Sequence, residues 1–182
     1  MSILIKVNLV ITFSLKANII KIDTDMNKNA NLPLLINLAI PLLIATISGI
    51  ITSASIPTWY TNLVKPEFTP PNYVFAPVWT LLYLLMGISF YLIWKKRKVL
   101  NITISTILYS VQLTLNFLWS LLFFGMRNPL LSLIEITCLW IFILLMIGAF
   151  WKISKISSLL QIPYLMWVTF AGVLNFYIWK LN

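Results

Sequence analysis

Residues 73–94 read YVFAPVWTLLYLLMGISFYLIW and contain no charged side chain. A helix of about 20 residues crosses the roughly 30 Å hydrocarbon core of a bilayer, so this run is long enough to span a membrane. Four similar runs flank it, at about residues 34–56, 100–124, 130–151 and 159–179. A backbone in lipid has to satisfy its own hydrogen bonds, so continuous apolar runs predict helices. The expected fold class is an all-α membrane protein, a five-transmembrane-helix bundle.

The five runs divide the chain into a tail and one membrane domain. We expect an N-terminal tail over residues 1–31, dispensable or untranslated, and a membrane domain over residues 32–182. Lys6 and Lys16 in the tail bracket only nine uncharged residues, too few to span a bilayer. Met26 opens the polar stretch MNKNANLP just before the first run. Translation is therefore expected to start at Met1 or at Met26.

The composition excludes several kinds of protein and of site. Of 182 residues, 60% are hydrophobic and 9% are charged, with no His and one Cys, Cys138. Soluble domains average about 45–50% apolar residues, so a soluble domain is excluded. Without His or a second Cys, a His-ligated metal site, a Ser-His-Asp triad and an internal disulfide are excluded too. We therefore expect no metal and no required cofactor.

Positive charge sits at the ends of the apolar runs. This pattern explains the net charge of +9 as membrane-flanking Lys and Arg, so lipid rather than nucleic acid is the expected partner. Ten Lys and Arg fall in the tail, in the KKRK link 95–98 and at Lys152 and Lys155, against three at Lys65, Arg127 and Lys180. The positive-inside rule then places the N-terminus in the cytoplasm, with the C-terminus and loop 57–72 outside. The expected location is a bacterial inner membrane.

Three of the runs carry aromatic side chains at helical spacing. Each set steps by three or four residues and so shares one helix face. The sets are Trp79, Tyr83, Met86 and Phe90; Tyr109, Gln112, Asn116, Trp119 and Phe123; and Tyr164, Trp167, Ala171 and Leu174. Ordinary interhelical packing is one interpretation. Gln112 and Asn116 favour a cavity, because an amide within a membrane helix is costly unless it faces a partner or a ligand.

The link between the first two runs is predicted to be an ordered lid. It reads PTWYTNLVKPEFTPPN over residues 57–72, and its prolines restrict the backbone. A cavity of Trp, Tyr and Phe with a few amides suits a flat, largely apolar ligand with a polar edge. A tetrapyrrole or a sterol fits that description.

Other residues favour structural roles. Glu135, the only acid within a run, is expected near a membrane interface, with Arg127 as a salt partner. Ala45, Gly49 and Ser53 form a small-residue seam, and Thr106, Ser110 and Thr114 form another that suits a homodimer. Leu174, Tyr177 and Lys180 fit the permissive pattern proposed for cholesterol contact.

Three stretches together resemble the TspO/MBR family of tryptophan-rich sensory and translocator proteins. They are WYTNLVKPEFTPPNYVFAPVWTLLYLLMG over residues 59–87, QLTLNFLWSLLFFGMRNP over residues 112–129 and PYLMWVTFAGVLNFYIWKLN over residues 163–182. The resemblance covers about residues 34–182. It implies a five-helix bundle, often dimeric, with a ligand pocket beneath the first loop.

The resemblance also implies ligands and site residues. Members bind porphyrins, here protoporphyrin IX or haem, and in many cases sterols. The implied pocket contains Tyr60, Trp79, Asn116, Trp119, Trp167 and Ala171, to which the helical spacing adds Tyr83 and Gln112. Trp79 and Trp167 match the tryptophans implicated in light-dependent porphyrin breakdown and would be catalytic only in that reaction.

Three functions follow as hypotheses. The first is a membrane sensor or regulator that binds tetrapyrroles in a stress response or in tetrapyrrole metabolism. The second is an enzyme that degrades porphyrin under light, using the excited state of the ligand because the chain offers no ordinary acid, base or metal. The third is a transporter of porphyrin or lipid, although inverted repeats and broken helices are not evident in the sequence.

Overall fold

The computed structural model describes residues 31–182. The expectations for the tail and for the start at Met1 or Met26 lie outside these residues. The chain divides into two compact units, Met1–Ile36 and Asn37–Asn182. Of the first, only the opening residues of a helix are described, and every contact below lies within the second.

Helices account for nearly all of the described chain. In order they are α1 (Asn31–Ser55), α2 (Asn72–Trp94), α3 (Thr103–Ser120), α4 (Pro129–Trp151), α5 (Lys155–Leu159) and α6 (Ile162–Leu181). A 3₁₀ turn covers Tyr60–Asn62, and α3 continues into a π-helical turn at Leu121–Gly125. No strand occurs within residues 31–182. Five helical segments are long and apolar enough to cross a membrane, so the predicted architecture is confirmed.

The ends of the helices follow from local chemistry. Asn128 caps α4 by accepting a hydrogen bond from the backbone N–H of Leu131, and Pro129 occupies the first turn, where its missing N–H costs nothing. Ser154 caps α5 in the same way, through the N–H of Ser157. These caps set where α4 and α5 begin.

The fifth predicted run, residues 159–179, is confirmed as part of the membrane-spanning segment Lys155–Leu181. Within that segment the chain forms the short helix α5, a turn, and then α6 from Ile162. Pro163 lies in the first turn of α6, which proline favours because its fixed φ suits a helix start. A run of apolar residues does not reveal this break, since both helices and the turn between them are rich in Leu and Ile.

Two hydrophobic clusters pack the helices of Asn37–Asn182: a large one among α2, α3, α4 and α6, and a smaller one around Tyr60, Phe123 and Phe124. Helix α4 packs against α3 and α6, and α5 packs against α4 and α2. Phe90 and Tyr109 stack with their ring centroids 4.1 Å apart, and Phe150 lies beside both. Helix α1 approaches α2 closely at Gly87, where a Cβ atom would lie 2.7 Å from the backbone oxygen of Asn37. These contacts hold the aromatic faces of α2, α3 and α6 around one space.

Candidate ligand-binding site

A cavity of about 280 Å³ lies among α1, α2, α3 and α6, beneath the loop that joins α1 to α2. Small-molecule sites are commonly about 300–1,000 Å³, so this one lies near the lower end. Its lining includes most residues that the sequence predicted for a ligand pocket: Tyr60, Trp79, Tyr83, Asn116, Trp119, Trp167, Ala171 and Leu174. The structure thus gathers part of each of the three stripes around one space.

Asn116 holds the polar centre of the cavity wall. The Tyr83 hydroxyl donates to its Oδ1, and its Nδ2 donates to the Tyr164 hydroxyl over 2.8 Å. Asn116 is 2% exposed, so both ends of its amide are satisfied inside the protein. The amide therefore joins α3 to α2 and to α6, and it aims the Tyr83 ring at the cavity.

A second amide orients Trp119. The Trp119 indole Nε1–H donates to Asn175 Oδ1 over 3.1 Å, and Asn175 Nδ2 donates to the Pro129 carbonyl over 2.8 Å. Asn175 directly follows Leu174, the last residue of the α6 stripe, and was not among the predicted site residues. Its position on the same wall is a tertiary result, because it depends on the first turn of α4 lying next to α6.

Trp79 and Trp167 form the aromatic corner of the site. Their ring centroids lie 6.5 Å apart with the planes at 90°, the edge-to-face arrangement that aromatic quadrupoles favour. Trp79 also packs against Tyr83 and Tyr164. Within the described chain, the buried Trp167 Nε1 has no hydrogen-bond partner, so it is a donor available to a ligand acceptor.

The loop closes the outer end of the cavity with Tyr60. This residue is buried against Phe123 and Phe124, at centroid distances of 6.3 and 5.6 Å. The Lys65 ammonium lies 4.8 Å from the centre of the Tyr60 ring, a cation–π contact. Burial raises the pKa of Tyr60 above its ordinary value of 10.0, so the phenol is neutral at physiological pH.

Further contacts hold the loop in an ordered conformation. Asn182, at the end of α6, hydrogen-bonds both the N–H and the carbonyl of Val64. Phe68 packs edge-on against Phe170 and Tyr177. The loop thus makes the covering contacts expected of the predicted lid.

The α1 wall of the cavity contains residues that the sequence assigned elsewhere. Ala45, Gly49 and Ser53 were predicted to form a helix-packing seam, yet all three line the cavity. No atom lies within 4 Å of a Cβ built on Gly49. Small side chains create space here instead of bringing two helices together, and spacing by four is the same in both cases.

Gln112 does not join the site. It shares the α3 face with Asn116 but is fully buried away from the cavity, and its amide has no hydrogen-bond partner within the described residues. Gln112 lies one helical turn before Asn116 on α3, at a level where the neighbouring helices bury it and leave no cavity.

The cholesterol pattern is divided between two surroundings. Leu174 is buried and lines the cavity, whereas Tyr177 is 41% exposed and Lys180 is exposed. A step of three residues falls short of a full helical turn, so each side chain is displaced around the helix from the one before it. The three side chains therefore do not share one surface. Sterol contact stays a prediction.

The expected salt bridge of Glu135 is wrong. Its two carboxylate oxygens are buried without a hydrogen-bond partner in residues 31–182, and Arg127 is exposed in the turn before α4 with φ 55°. Glu135 is buried within α4, whereas Arg127 lies in the exposed turn before that helix.

Comparison with known proteins gives the cavity a family context. The model of the TspO/MBR family matches residues 37–180, a range that includes every cavity-lining residue. The chain belongs to the TspO/MBR family. As a TspO/MBR protein with five membrane-spanning helices, it is an integral, multi-pass membrane protein.

Individual relatives span bacteria, archaea and animals. The chain is 48% identical over 128 residues to a tryptophan-rich protein TspO of Chlorobaculum tepidum, covering 68% of this chain and 79% of the relative. It is 47% identical over 131 residues to a protein of the same name from Archaeoglobus fulgidus, covering 72% and 84%. Identity to a translocator protein of Sus scrofa is 35% over 126 residues, covering 68% and 75%.

Proposed function

We propose that this TspO/MBR protein binds a tetrapyrrole, protoporphyrin IX or haem, in the cavity beneath the loop and acts as a sensor or regulator of tetrapyrrole metabolism. The observation that carries the proposal is the corner formed by Trp79 and Trp167, where two indoles meet edge to face beside an unpartnered N–H. Such a corner offers a flat apolar ligand both ring contact and a single oriented donor.

The polarity of the remaining walls supports the same ligand class. Asn116 and Asn175 are held by their neighbours, so they present fixed polar edges without demanding a charged partner. Lys65 lies over Tyr60 at the outer end of the cavity, where its charge suits the propionates of a porphyrin. A sterol would use the apolar walls but not this cation.

The volume of the cavity adds a requirement for movement. At about 280 Å³ the cavity lies at the lower end of ligand-site volumes, so we propose that a macrocycle enters with displacement of the loop or of α1. Helix α1 is the natural element to yield, since small side chains face the cavity from it.

The test is a titration of protoporphyrin IX into purified protein in the dark, followed by Trp fluorescence. Replacing Trp79 and Trp167 together by Phe should weaken binding at least about tenfold, which corresponds to about 1.4 kcal/mol. The matched control replaces Trp140 and Trp151, which lie outside the cavity, so both proteins lose two tryptophans. Equal affinity in the two double variants would contradict the site.

We further propose, as the second candidate, light-dependent breakdown of the bound porphyrin. The ring contact between Trp79 and Trp167 favours it, because the light-excited porphyrin can accept an electron from an adjacent indole and pass it to dioxygen, the oxidant of the reaction. Illumination after the dark titration separates the functions: bleaching with the wild type and the control, but not with Trp79→Phe/Trp167→Phe, supports catalysis. A stable absorption band in all three supports binding alone.

We also propose the topology of a bacterial inner-membrane protein with loop 57–72 and the C-terminus outside and the N-terminus in the cytoplasm. The support is the excess of Lys and Arg on the side of the KKRK link. A single Cys introduced in the loop of a Cys138→Ser variant should react with an impermeant maleimide on intact cells, whereas a Cys in the link 95–98 should not.

We also propose a homodimer through Thr106, Ser110 and Thr114. Crosslinking at Ser110 tests it.

A further inference from the structure

Two ladders of buried polar side chains extend from the cavity wall toward the α5 end of the bundle. On α3, Tyr109, Gln112 and Asn116 lie one helical turn apart on one face. Across from them, Ser157, Gln161 and Tyr164 are spaced by four and three residues through α5, the turn and α6. All six are at most 5% exposed. Apart from Asn116, which lines the cavity, no member of either ladder belongs to the proposed ligand site.

At the cavity end, the two ladders are in direct contact through Asn116 and Tyr164. Asn116 Nδ2 donates to the Tyr164 hydroxyl over 2.8 Å. This hydrogen bond sets the level at which α3 and α6 face each other, immediately behind the cavity-lining Tyr83.

At the α5 end, Tyr109 and Ser157 contact two consecutive residues of α2. Ser89 Oγ donates to the Ser157 carbonyl over 2.8 Å, and the next residue, Phe90, stacks on Tyr109 at 4.1 Å. Because Ser89 and Phe90 are adjacent in one helix, Tyr109 and Ser157 are brought to the same depth. Gln112 on α3 and Gln161 before α6 each lie between these two levels in their own segments.

Six polar side-chain atoms nearer the α5 end of the ladders have no hydrogen-bond partner within the described chain. Both amide atoms of Gln112 and of Gln161, the Tyr109 hydroxyl and the Ser157 Oγ have no hydrogen-bond partner. A buried polar group left without a partner destabilises the folded protein. Six such atoms in one region of a membrane protein call for a ligand that both donates and accepts.

We propose that these two ladders form a water-binding column between α3 and the α5–α6 turn, with Gln112 and Gln161 as its principal ligands. Water suits the column because one molecule makes about three hydrogen bonds with otherwise unsatisfied buried groups, and the glutamine amides and the two hydroxyls supply both donors and acceptors. The column connects the polar wall of the cavity, at Asn116, with the opposite end of the bundle.

Water-edited solid-state NMR of the full chain in lipid vesicles tests the column directly. With side-chain ¹⁵N-labelled Gln, magnetisation from water should reach the NH₂ groups of both Gln112 and Gln161 at short mixing times. Gln112→Leu and Gln161→Leu assign the two signals, and each variant should slow the transfer to the glutamine that it leaves. The exposed side chain of Asn62, in the loop, serves as the water-accessible reference in a sample labelled at Asn.

Two results would overturn the proposal. One is the absence of early water transfer to both glutamines while the reference signal builds up normally. The other is a ¹⁵N–¹³C correlation across a hydrogen bond between the two side-chain amides. That correlation would show that the two amides are paired with each other. Both readings are made on the wild-type protein, so they do not depend on whether a variant folds.

Discussion

The side-chain amide of Asn182 forms a matched pair of hydrogen bonds with the backbone of Val64. Asn182 Oδ1 accepts from the Val64 N–H and Nδ2 donates to the Val64 carbonyl, each over 3.0 Å. Val64 lies in the loop above the cavity, whereas Asn182 follows the last turn of α6. One side chain therefore ties the cover of the site to the helix that carries Trp167.

Replacing Asn182 by Ala should speed ligand exchange. Loss of the pair removes about 0.5–1.5 kcal/mol per hydrogen bond, so the loop should open more often and both association and dissociation of protoporphyrin IX should accelerate severalfold. Stopped-flow fluorescence measures the two rates. The control is Asn62→Ala, whose side chain bonds only within its own turn, to the Thr58 carbonyl. Equal rates in all three proteins would show that the Asn182 contact does not limit entry.

Replacing Gly87 by Ala should destabilise the bundle. The added Cβ would lie 2.7 Å from the Asn37 carbonyl oxygen and 3.0 Å from the Leu38 Cα, both backbone atoms that cannot move aside cheaply. Overpacking of this kind costs about 1–3 kcal/mol. Gly148→Ala is the control, because no atom lies within 4 Å of that Cβ and helix propensity there favours Ala by about 1 kcal/mol. The midpoint of thermal unfolding in detergent should fall in Gly87→Ala and rise in Gly148→Ala. A lowered midpoint in both variants would refute the steric explanation.

Replacing Asn116 by Leu should destabilise the protein through its two tyrosine neighbours. The hydroxyls of Tyr83 and Tyr164 would stay buried without their amide partner, at about 1–3 kcal/mol for each unsatisfied group. A triple variant that also changes Tyr83 and Tyr164 to Phe should recover much of the loss, because every member of the network is then apolar. The midpoint of thermal unfolding measures both. A triple variant no more stable than Asn116→Leu would count against this account.

Alkaline pH should loosen the loop through Tyr60. Burial raises the folded pKa of Tyr60 above 10.0, so the neutral phenol is favoured by folding. Its contribution is complete below pH 10 and is lost as pH rises through the folded pKa. The difference in absorbance at 295 nm between wild type and Tyr60→Phe isolates this titration, which should have its midpoint above pH 10. A midpoint at or below the ordinary value would mean that Tyr60 is not buried in solution.

Much of the site was visible in the sequence because helical spacing places side chains on faces. Trp79, Asn116 and Trp167 each lie on a stripe that a period of 3.6 residues predicts, and each reaches the cavity. The same periodicity misplaced Gln112, since spacing gives the face of a helix but not the depth at which neighbouring helices close. Ala45, Gly49 and Ser53 were misread for a related reason: small residues bring helices together or leave a gap, according to what lies opposite.

The amino-acid sequence by itself determined that five apolar helices cross a membrane, because the cost of unsatisfied backbone groups in lipid leaves no other structure for such runs. It also determined the aromatic faces. Only the tertiary structure decided which polar atoms are satisfied: Asn116 between two tyrosines, Asn182 on Val64, and Gln112, Gln161 and Glu135 without a partner in the described chain. Those outcomes depend on distances between helices far apart in the chain, which local periodicity does not encode.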